Sequence, residues 1–318
     1  MTKILVTGGT GFLGTHLVRH LRSLALEHEV RTVSRRRISG EGSRGFIFYR
    51  PTGEDRTGHY DEGLQHFSFD LTDRIAVKRM FYYYQPDIIF HLAANPMVKN
   101  PEGIFRDNVE VTQNLLKYCP EDCRFIFASS IVVYGDCIKC PKSKERDVPK
   151  PTSEYGITKL ASEHLINMFT SRGKVRGVNL RLCATVGGGL THGVIFDFIR
   201  KLQNDHVLEV LGSSPGSTKP YLYIDDAIRA FMLMANKDKI KGPWNIVPDN
   251  EVSIHQLARA VMSGLGIDKE IKWLGEKANW AGDNRYLCAS NGHIKSIGWK
   301  LDYDSSFDAI KQCVKELQ

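Results

Sequence analysis

A glycine turn set between an apolar strand and an amphipathic helix narrows the fold of this chain more than any other feature. Ile4, Leu5 and Val6 read as a short buried strand. Thr7-Gly8-Gly9-Thr10-Gly11-Phe12-Leu13-Gly14 follows, and an amphipathic run continues from Gly14 to Leu26. Glycines permit a tight turn and let backbone N–H groups come close to a bound group. The helix N-terminus behind them carries partial positive charge. Gly8, Gly11 and Gly14 recur at every third position, and such a turn in a first βαβ unit points to a pyrophosphate. Phe12 and Leu13 belong to the same expected contact surface.

The rest of the first half repeats the strand–helix rhythm. Strands are expected at Glu29–Val33, His66–Phe69, Asp87–His91, Arg124–Ser129 and Gly177–Leu182. Helices are expected at Ile75–Tyr84, Asn108–Tyr118 and Tyr155–Thr170. Residues 38–63, rich in Gly, Arg and Asp, read as a long surface excursion. The alternation implies an α/β fold with a doubly wound parallel sheet of the Rossmann type. After Arg181 the rhythm changes. Gly187-Gly188-Gly189 opens a loop, Phe196–Leu202, Asp226–Ala235 and 253–264 read as helices, and Trp244–Val247 as a strand. Residues 1–183 and 222–248 are assigned to a dinucleotide-binding domain, and 184–221 with 249–318 to a smaller mixed α/β substrate lobe.

Charge excludes little. The 43 basic against 36 acidic residues leave a net charge of +7, which suits an anionic ligand. The basic residues are scattered except at Arg35-Arg36-Arg37, and no nucleic-acid motif stands out, so no nucleic-acid partner is expected. No apolar run approaches the roughly 20 residues of a membrane span, and the chain reads as cytoplasmic. Cys119, Cys123, Cys137 and Cys140 imitate a zinc spacing. A strand between the two pairs would hold them too far apart for one tetrahedral site, so no metal is expected.

Asp70-Leu71 ends the third strand, where a carboxylate can accept from an adenine amino group; Asp70 also suits a helix cap. The end of the second strand chooses between NAD and NADP. An acidic residue there serves the ribose hydroxyls of NAD. Ser34, Arg35 and Arg36 stand there instead, and a guanidinium matches a 2′-phosphate. NADP is the expected cofactor, with NAD as the alternative.

Tyr155 and Lys159 lie at i and i+4, on one helix face. An ammonium and a nicotinamide cation beside a phenol favour the phenolate, lowering its pKa. Tyr155 is thus expected to take a proton from a sugar hydroxyl, with Ser130 orienting the reacting oxygen at a strand C-terminus.

These motifs together resemble the extended short-chain dehydrogenase/reductases, in particular NAD(P)-dependent nucleotide-sugar epimerases and dehydratases of the UDP-glucose 4-epimerase type. The resemblance rests on Thr7–Gly14, Asp70-Leu71, His91-Leu92-Ala93-Ala94, Asn108, Ala128-Ser129-Ser130, Tyr134-Gly135 and Tyr155–Lys159. It continues through Asp197–Leu202, Tyr221–Asp226 and Trp280–Asp283. It implies cofactor contacts from Leu92, Ala93, Ala94, Asn108, Ala128 and Leu182. It also implies a nucleotide-diphosphate sugar between the lobes and a homodimer packed through the helices near 108–118 and from 155. Thr191, His192, Arg200, Lys219, Tyr221 and Asp283 are the candidate substrate contacts, with Ser130.

The departures from the family pattern matter. Dehydratases of this family carry an acidic residue two before the Tyr of Tyr134-Gly135; Ile131, Val132 and Val133 fill this stretch. Lys219 replaces an arginine, Ala184 an asparagine, and Trp280 a second arginine. The leading reading is a C4 epimerase working through a transient 4-keto sugar. The alternative is an NADP-dependent C4 reductase or dehydrogenase, followed by a 4,6-dehydratase and a non-catalytic dinucleotide sensor.

Overall fold

A computed structural model describes residues 1–24, 28–35, 46–49, 55–58, 65–96, 102–137, 142–204, 207–237, 239–275 and 284–318. Its centre is a seven-stranded sheet in which every neighbouring pair is parallel. The strands are β1 (Thr2–Thr7), β2 (His28–Ser34), β5 (Gln65–Ser68), β6 (Ile88–His91), β7 (Cys123–Ser130), β8 (Val175–Leu182) and β13 (Gly242–Ile246). Their spatial order is β13-β8-β7-β6-β1-β2-β5. The chain builds outward from β1 to β2 and β5, then restarts at β6 on the other side of β1. A crevice opens at the carboxyl ends of strands where the order reverses in this way. Thr7 and His91 therefore end their strands beside the crevice.

Burial explains the strand compositions. β6 lies between β1 and β7, so Ile89 and Phe90 are both fully buried although they point to opposite faces. This is why its apolar run is continuous rather than alternating. One sheet face is covered by α2 (Arg74–Tyr83), α3 (Val111–Tyr118) and α4 (Glu154–Ser171). Leu5, Val77, Phe81, Leu115 and Ile166 share that core. The other face is covered by α1 (Phe12–Ser23) and α6 (Ile224–Ala235), where Val6, Leu17, Leu21 and Phe231 meet.

The remaining elements are short. β9 (Ala184–Val186) pairs with β12 (Tyr221–Tyr223), β10 (Val207–Val210) with β15 (Glu270–Trp273), and β11 (Thr218–Lys219) with β14 (Val252–Ser253). The helices α5 (Val194–Asn204), α7 (Ile254–Leu265) and α9 (Ser306–Leu317) pack on one another, and α8 (Gly292–Ser296) lies beside β13. β13 itself joins the edge of the main sheet next to β8.

Two expectations need refinement. The helix expected from Asn108 begins earlier, with a π-helical turn at Arg106–Glu110 that runs into α3. Residues 38–63, expected as one long surface excursion, carry two strands that the expectation did not specify: β3 (Phe46–Tyr49) pairs antiparallel with β4 (Asp55–Gly58), and the rest of the stretch lies outside the described residues. Phe46-Ile47-Phe48-Tyr49 has the aromatic, β-branched character of a strand, hidden in a Gly- and Arg-rich surrounding. Cys123 opens β7 and Cys137 lies beyond its far end, and the strand alone spans about 23 Å from Cys123 to Ser130 at 3.3 Å per residue. Cys140 lies outside the described residues. No described helix is long and apolar enough to cross a membrane.

Candidate active site

The glycine turn closes where β1 meets α1. Gly8 adopts φ +71°, a conformation suited to glycine. A Cβ on Gly8 would lie 2.8 Å from the Ala93 backbone nitrogen, so the turn presses directly on the chain leaving β6. Gly14 is tighter still, since a Cβ there would sit 2.2 Å from the Gly8 carbonyl oxygen. The cap of α1 is Gly11, with no side chain to serve the first helical N–H groups. Those donors and the helix dipole face outward, an arrangement that fits a pyrophosphate. Gly14→Ala must force the turn open, and is expected to weaken NAD⁺ binding roughly 10- to 100-fold, as overpacking of a few kcal/mol would. Titration calorimetry checks this; unchanged affinity would remove the turn from the binding site.

Beneath the turn runs a chain of buried polar groups. The Ala93 N–H donates to Thr7 Oγ1, which contacts His91 Nδ1 at 2.8 Å; His91 Nε2 contacts Thr112 Oγ1 at 3.0 Å, and Thr112 donates to the Asn108 carbonyl. Each hydroxyl has one proton, so the series assigns the His91 proton to Nε2. Burial, and secondarily the Lys159 charge, push His91 down to about 3, keeping it neutral. Asn108 spends its side chain inside the protein. Its Oδ1 accepts from the Asn95 N–H, and its Nδ2 donates to the Asn95 carbonyl and to Thr158 Oγ1. The chain that follows Leu92, Ala93 and Ala94 is thereby tied at Asn95, through Asn108, to Thr158 of α4.

The residues expected at the adenosine lie near the ends of β2 and β5. Asp70 accepts from both the backbone and the hydroxyl of Thr72; the helix cap expected of it falls instead to Asp73, whose side chain accepts from the Ile75 and Ala76 N–H groups. Leu71 is buried. Ser34 Oγ lies 3.4 Å from His66 Nε2. Arg35 makes an ion pair with Asp107 at 3.4 Å. Arg36 and Arg37 lie outside the described residues.

Tyr155 and Lys159 occupy the first turns of α4, capped by Ser153, whose side chain accepts from the Gly156 N–H. Gly156 lets the helix approach the chain after β7: a Cβ there would be 3.0 Å from the Val132 carbonyl oxygen. Lys159 Nζ donates to the Ala128 carbonyl at 2.7 Å and sits 5.5 Å from the Tyr155 ring centre. Burial raises Tyr155 to about 12. Burial lowers Lys159 to about 7, opposed by Glu163. The Lys159 charge therefore does not by itself lower the phenol. The ammonium is turned to a carbonyl, and desolvation dominates. Ser130 Oγ makes two long contacts, 3.3 Å to the Leu182 carbonyl and 3.4 Å from the Val132 N–H.

The Lys159 shift has a consequence for stability. Its folded value lies below the unfolded one of about 10.4, so the cost of burying its charge appears as pH falls from about 10 to about 7. Lys159→Met cannot acquire that charge. Without cofactor it is expected to resist urea better than the native chain at pH 7, the difference vanishing by pH 10.5. Parallel urea melts at the two pH values decide it.

The remaining candidates are dispersed. His192 is exposed and its Nδ1 lies 3.3 Å from Thr191 Oγ1. Arg200 lies on the exposed face of α5. Lys219 sits in β11, half-buried, and Tyr221 is buried in the main core. Leu182 ends β8 and Ala128 lies within β7. Asp283 and Trp280 lie outside the described residues. A group absent from the sequence reading is a buried ion pair under the site. Arg181 meets Glu163 at 2.7 Å with both side chains under 5% exposed. Glu163 also accepts from Ser129, while Arg181 donates to the Tyr134 hydroxyl, which in turn donates to Asn245. Glu163 lies four residues after Lys159, a spacing that could have suggested it.

The strand order, with a glycine turn and uncapped helix N-terminus at its switch point, defines a Rossmann-type dinucleotide enzyme. The chain belongs to the NAD dependent epimerase/dehydratase family, which matches residues 4–247. The crystal structure of a UDP-galactose 4-epimerase is similar at TM-score 0.78 and 29% identity, covering 99% of this chain and 98% of that one. MoeE5 in complex with UDP-glucuronic acid and NAD is similar at TM-score 0.78 and 26% identity, with the same coverage. The dTDP-D-glucose 4,6-dehydratase of Dictyostelium discoideum is 25% identical over 82% of this chain, which spans 62% of that protein's length.

Proposed function

We propose that this enzyme is an NAD-dependent nucleotide-sugar epimerase acting at C4 of the sugar. The observation that carries this reading is the turn Ile131–Tyr134 directly after Ser130. Ile131 and Val133 are buried core residues, and Val132 packs against the same core. The one titratable group of the turn, Tyr134, is engaged by Arg181 and Asn245 and raised to about 12, chiefly by burial. An elimination across two ring carbons needs an acid and a base on the sugar, and this segment supplies neither. Oxidation and re-reduction at one carbon need only a single proton acceptor. The similarity to a UDP-galactose 4-epimerase over nearly both whole chains supports the same reading.

In this reading the bound dinucleotide supplies reversible hydride exchange with C4. Tyr155 takes the C4 hydroxyl proton and returns it after the 4-keto sugar has turned. Lys159 leaves the Ala128 carbonyl and holds its charge against the phenolate, and Ser130 orients the C4 oxygen. The loose contacts of the Ser130 hydroxyl leave it free to do so. Lys219 meets the diphosphate, and Thr191, His192, Arg200, Tyr221 and Asp283 are the residues to test on the sugar side. The basic second strand favoured NADP and, with it, a net reductase. The pairing of Arg35 with Asp107 supports NAD instead. Homodimerisation through α3 and α4 belongs to the same proposal, with Ile157 and Met168 exposed on α4.

A panel of UDP-, dTDP-, GDP- and CDP-sugars, followed by 340 nm absorbance and sugar NMR together, tests the proposal. Isomerisation without net absorbance change is the expected result. Stoichiometric formation or consumption of reduced cofactor would replace the epimerase with a reductase or dehydrogenase.

A further inference from the structure

The end of β2 poses an electrostatic problem. Ser34 brings no carboxylate and Arg35 brings a cation, the combination that by itself would recruit a 2′-phosphate. The fold places a carboxylate there by another route. Asp107 lies in the turn Arg106–Glu110, beyond β6, and reaches Arg35 from the opposite side of β1. The two residues thus meet across the strand that carries the glycine turn.

The carboxylate is a built feature and the arginine is its adaptable partner. Asp107 keeps only 10% of its side chain exposed, whereas Arg35 keeps 60%. One oxygen of Asp107 accepts from Asn95 Nδ2 at 3.1 Å and from Arg35; the other accepts from Arg106 at 3.3 Å. Asn95 is held in turn by both ends of the Asn108 amide. The anchor therefore reaches from the crevice edge down to α4.

We infer that Asp107 is the residue that sets the dinucleotide preference of this enzyme, by occupying the Arg35 guanidinium and placing a negative charge where a 2′-phosphate would have to bind. A ribose with a free 2′-hydroxyl can hydrogen-bond to the pair without breaking it. A 2′-phosphate must either pull Arg35 away from Asp107 or lie close to a like charge, and both disfavour it. Asp107 then performs from the far side of β1 the selection that a β2 carboxylate performs elsewhere. The inference rests on the nicotinamide-enzyme reading.

The test is calorimetric titration of the purified full chain with NAD⁺ and with NADP⁺. The native chain is expected to bind NAD⁺ at least about tenfold more tightly. Asp107→Asn is expected to narrow that ratio about tenfold, chiefly by gaining NADP⁺ affinity. Asp107→Glu should stay near the native ratio. Arg35→Gln, a change at an exposed side chain, should widen the ratio, because it removes the cation that could turn to a 2′-phosphate and leaves the carboxylate with Arg106 alone as counter-charge. A native preference for NADP⁺ would overturn the inference. So would an Asp107→Asn ratio within twofold of native, or an Arg35→Gln ratio that fails to widen. If neither dinucleotide bound the native chain, the nicotinamide reading itself would fail, a result distinct from an unchanged ratio.

Discussion

Tyr155→Phe is expected to lower kcat about 1000-fold while leaving the fold and NAD⁺ affinity within about twofold of native, a loss typical of removing a positioned proton acceptor. The substitution deletes one oxygen and keeps the ring against Lys159 and the start of α4. The phenol is raised to about 12 by burial, so at neutral pH it starts protonated. In the proposed mechanism it works only when charge is brought to it, and Lys159 Nζ lies 5.5 Å from the ring centre. The loss should therefore fall on kcat and not on cofactor binding. Sugar NMR under saturating substrate measures the first, and calorimetry the second. Activity within tenfold of native would show that another group moves the proton.

Glu163→Gln should cost about 3–5 kcal/mol of stability, because it strips the counter-charge from a buried guanidinium. Arg181 is 4% exposed at its side chain and sits between Glu163 and the Tyr134 hydroxyl. The pairing holds Arg181 above its ordinary range despite burial, which alone would lower it. The substitution also weakens the partner of Ser129, directly before Ser130. In a thermal melt this should appear as a fall of about 10 °C. Replacing Glu163 and Arg181 together by methionine should recover most of it, since two hydrophobes need no counter-charge. A melt within 2–3 °C of native for Glu163→Gln would mean that water reaches the pair.

The parts of the fold legible in sequence were those governed by local rules. The continuous apolar run at 88–90 announced a strand covered on both faces, and β6 lies between β1 and β7. The glycine spacing at 8, 11 and 14 announced a turn that no side chain could enter, and the 2.2 Å approach at Gly14 is its physical reason. The Tyr155/Lys159 spacing placed two groups on one helix face, and the helix does so. The hairpin at 46–58 was missed because its strand pattern is short and sits among turn-forming residues. The π-turn before α3 was missed because hydrogen-bond register leaves no mark on periodicity.

Other features depended on distances that spacing does not encode. The run Ser34-Arg35-Arg36 is the clearest case. Its chemistry pointed to a 2′-phosphate, but the partner of Arg35 comes from 72 positions further along the chain. Only the sheet order, which sets β2 and β6 on either side of β1, makes that meeting possible. Similarly, sequence assigned Lys159 the task of lowering a phenol. The folded environment decides which neighbour its charge meets, and that neighbour is the Ala128 carbonyl. Sequence alone determined the Rossmann sheet, the glycine turn and the shared helix face of Tyr155 and Lys159, because backbone sterics and helix geometry act over a few residues. Tertiary structure alone decided the charge state of His91, the burial of the Glu163–Arg181 pair and the partner of Arg35. Desolvation and ion pairing depend on what the rest of the chain places nearby.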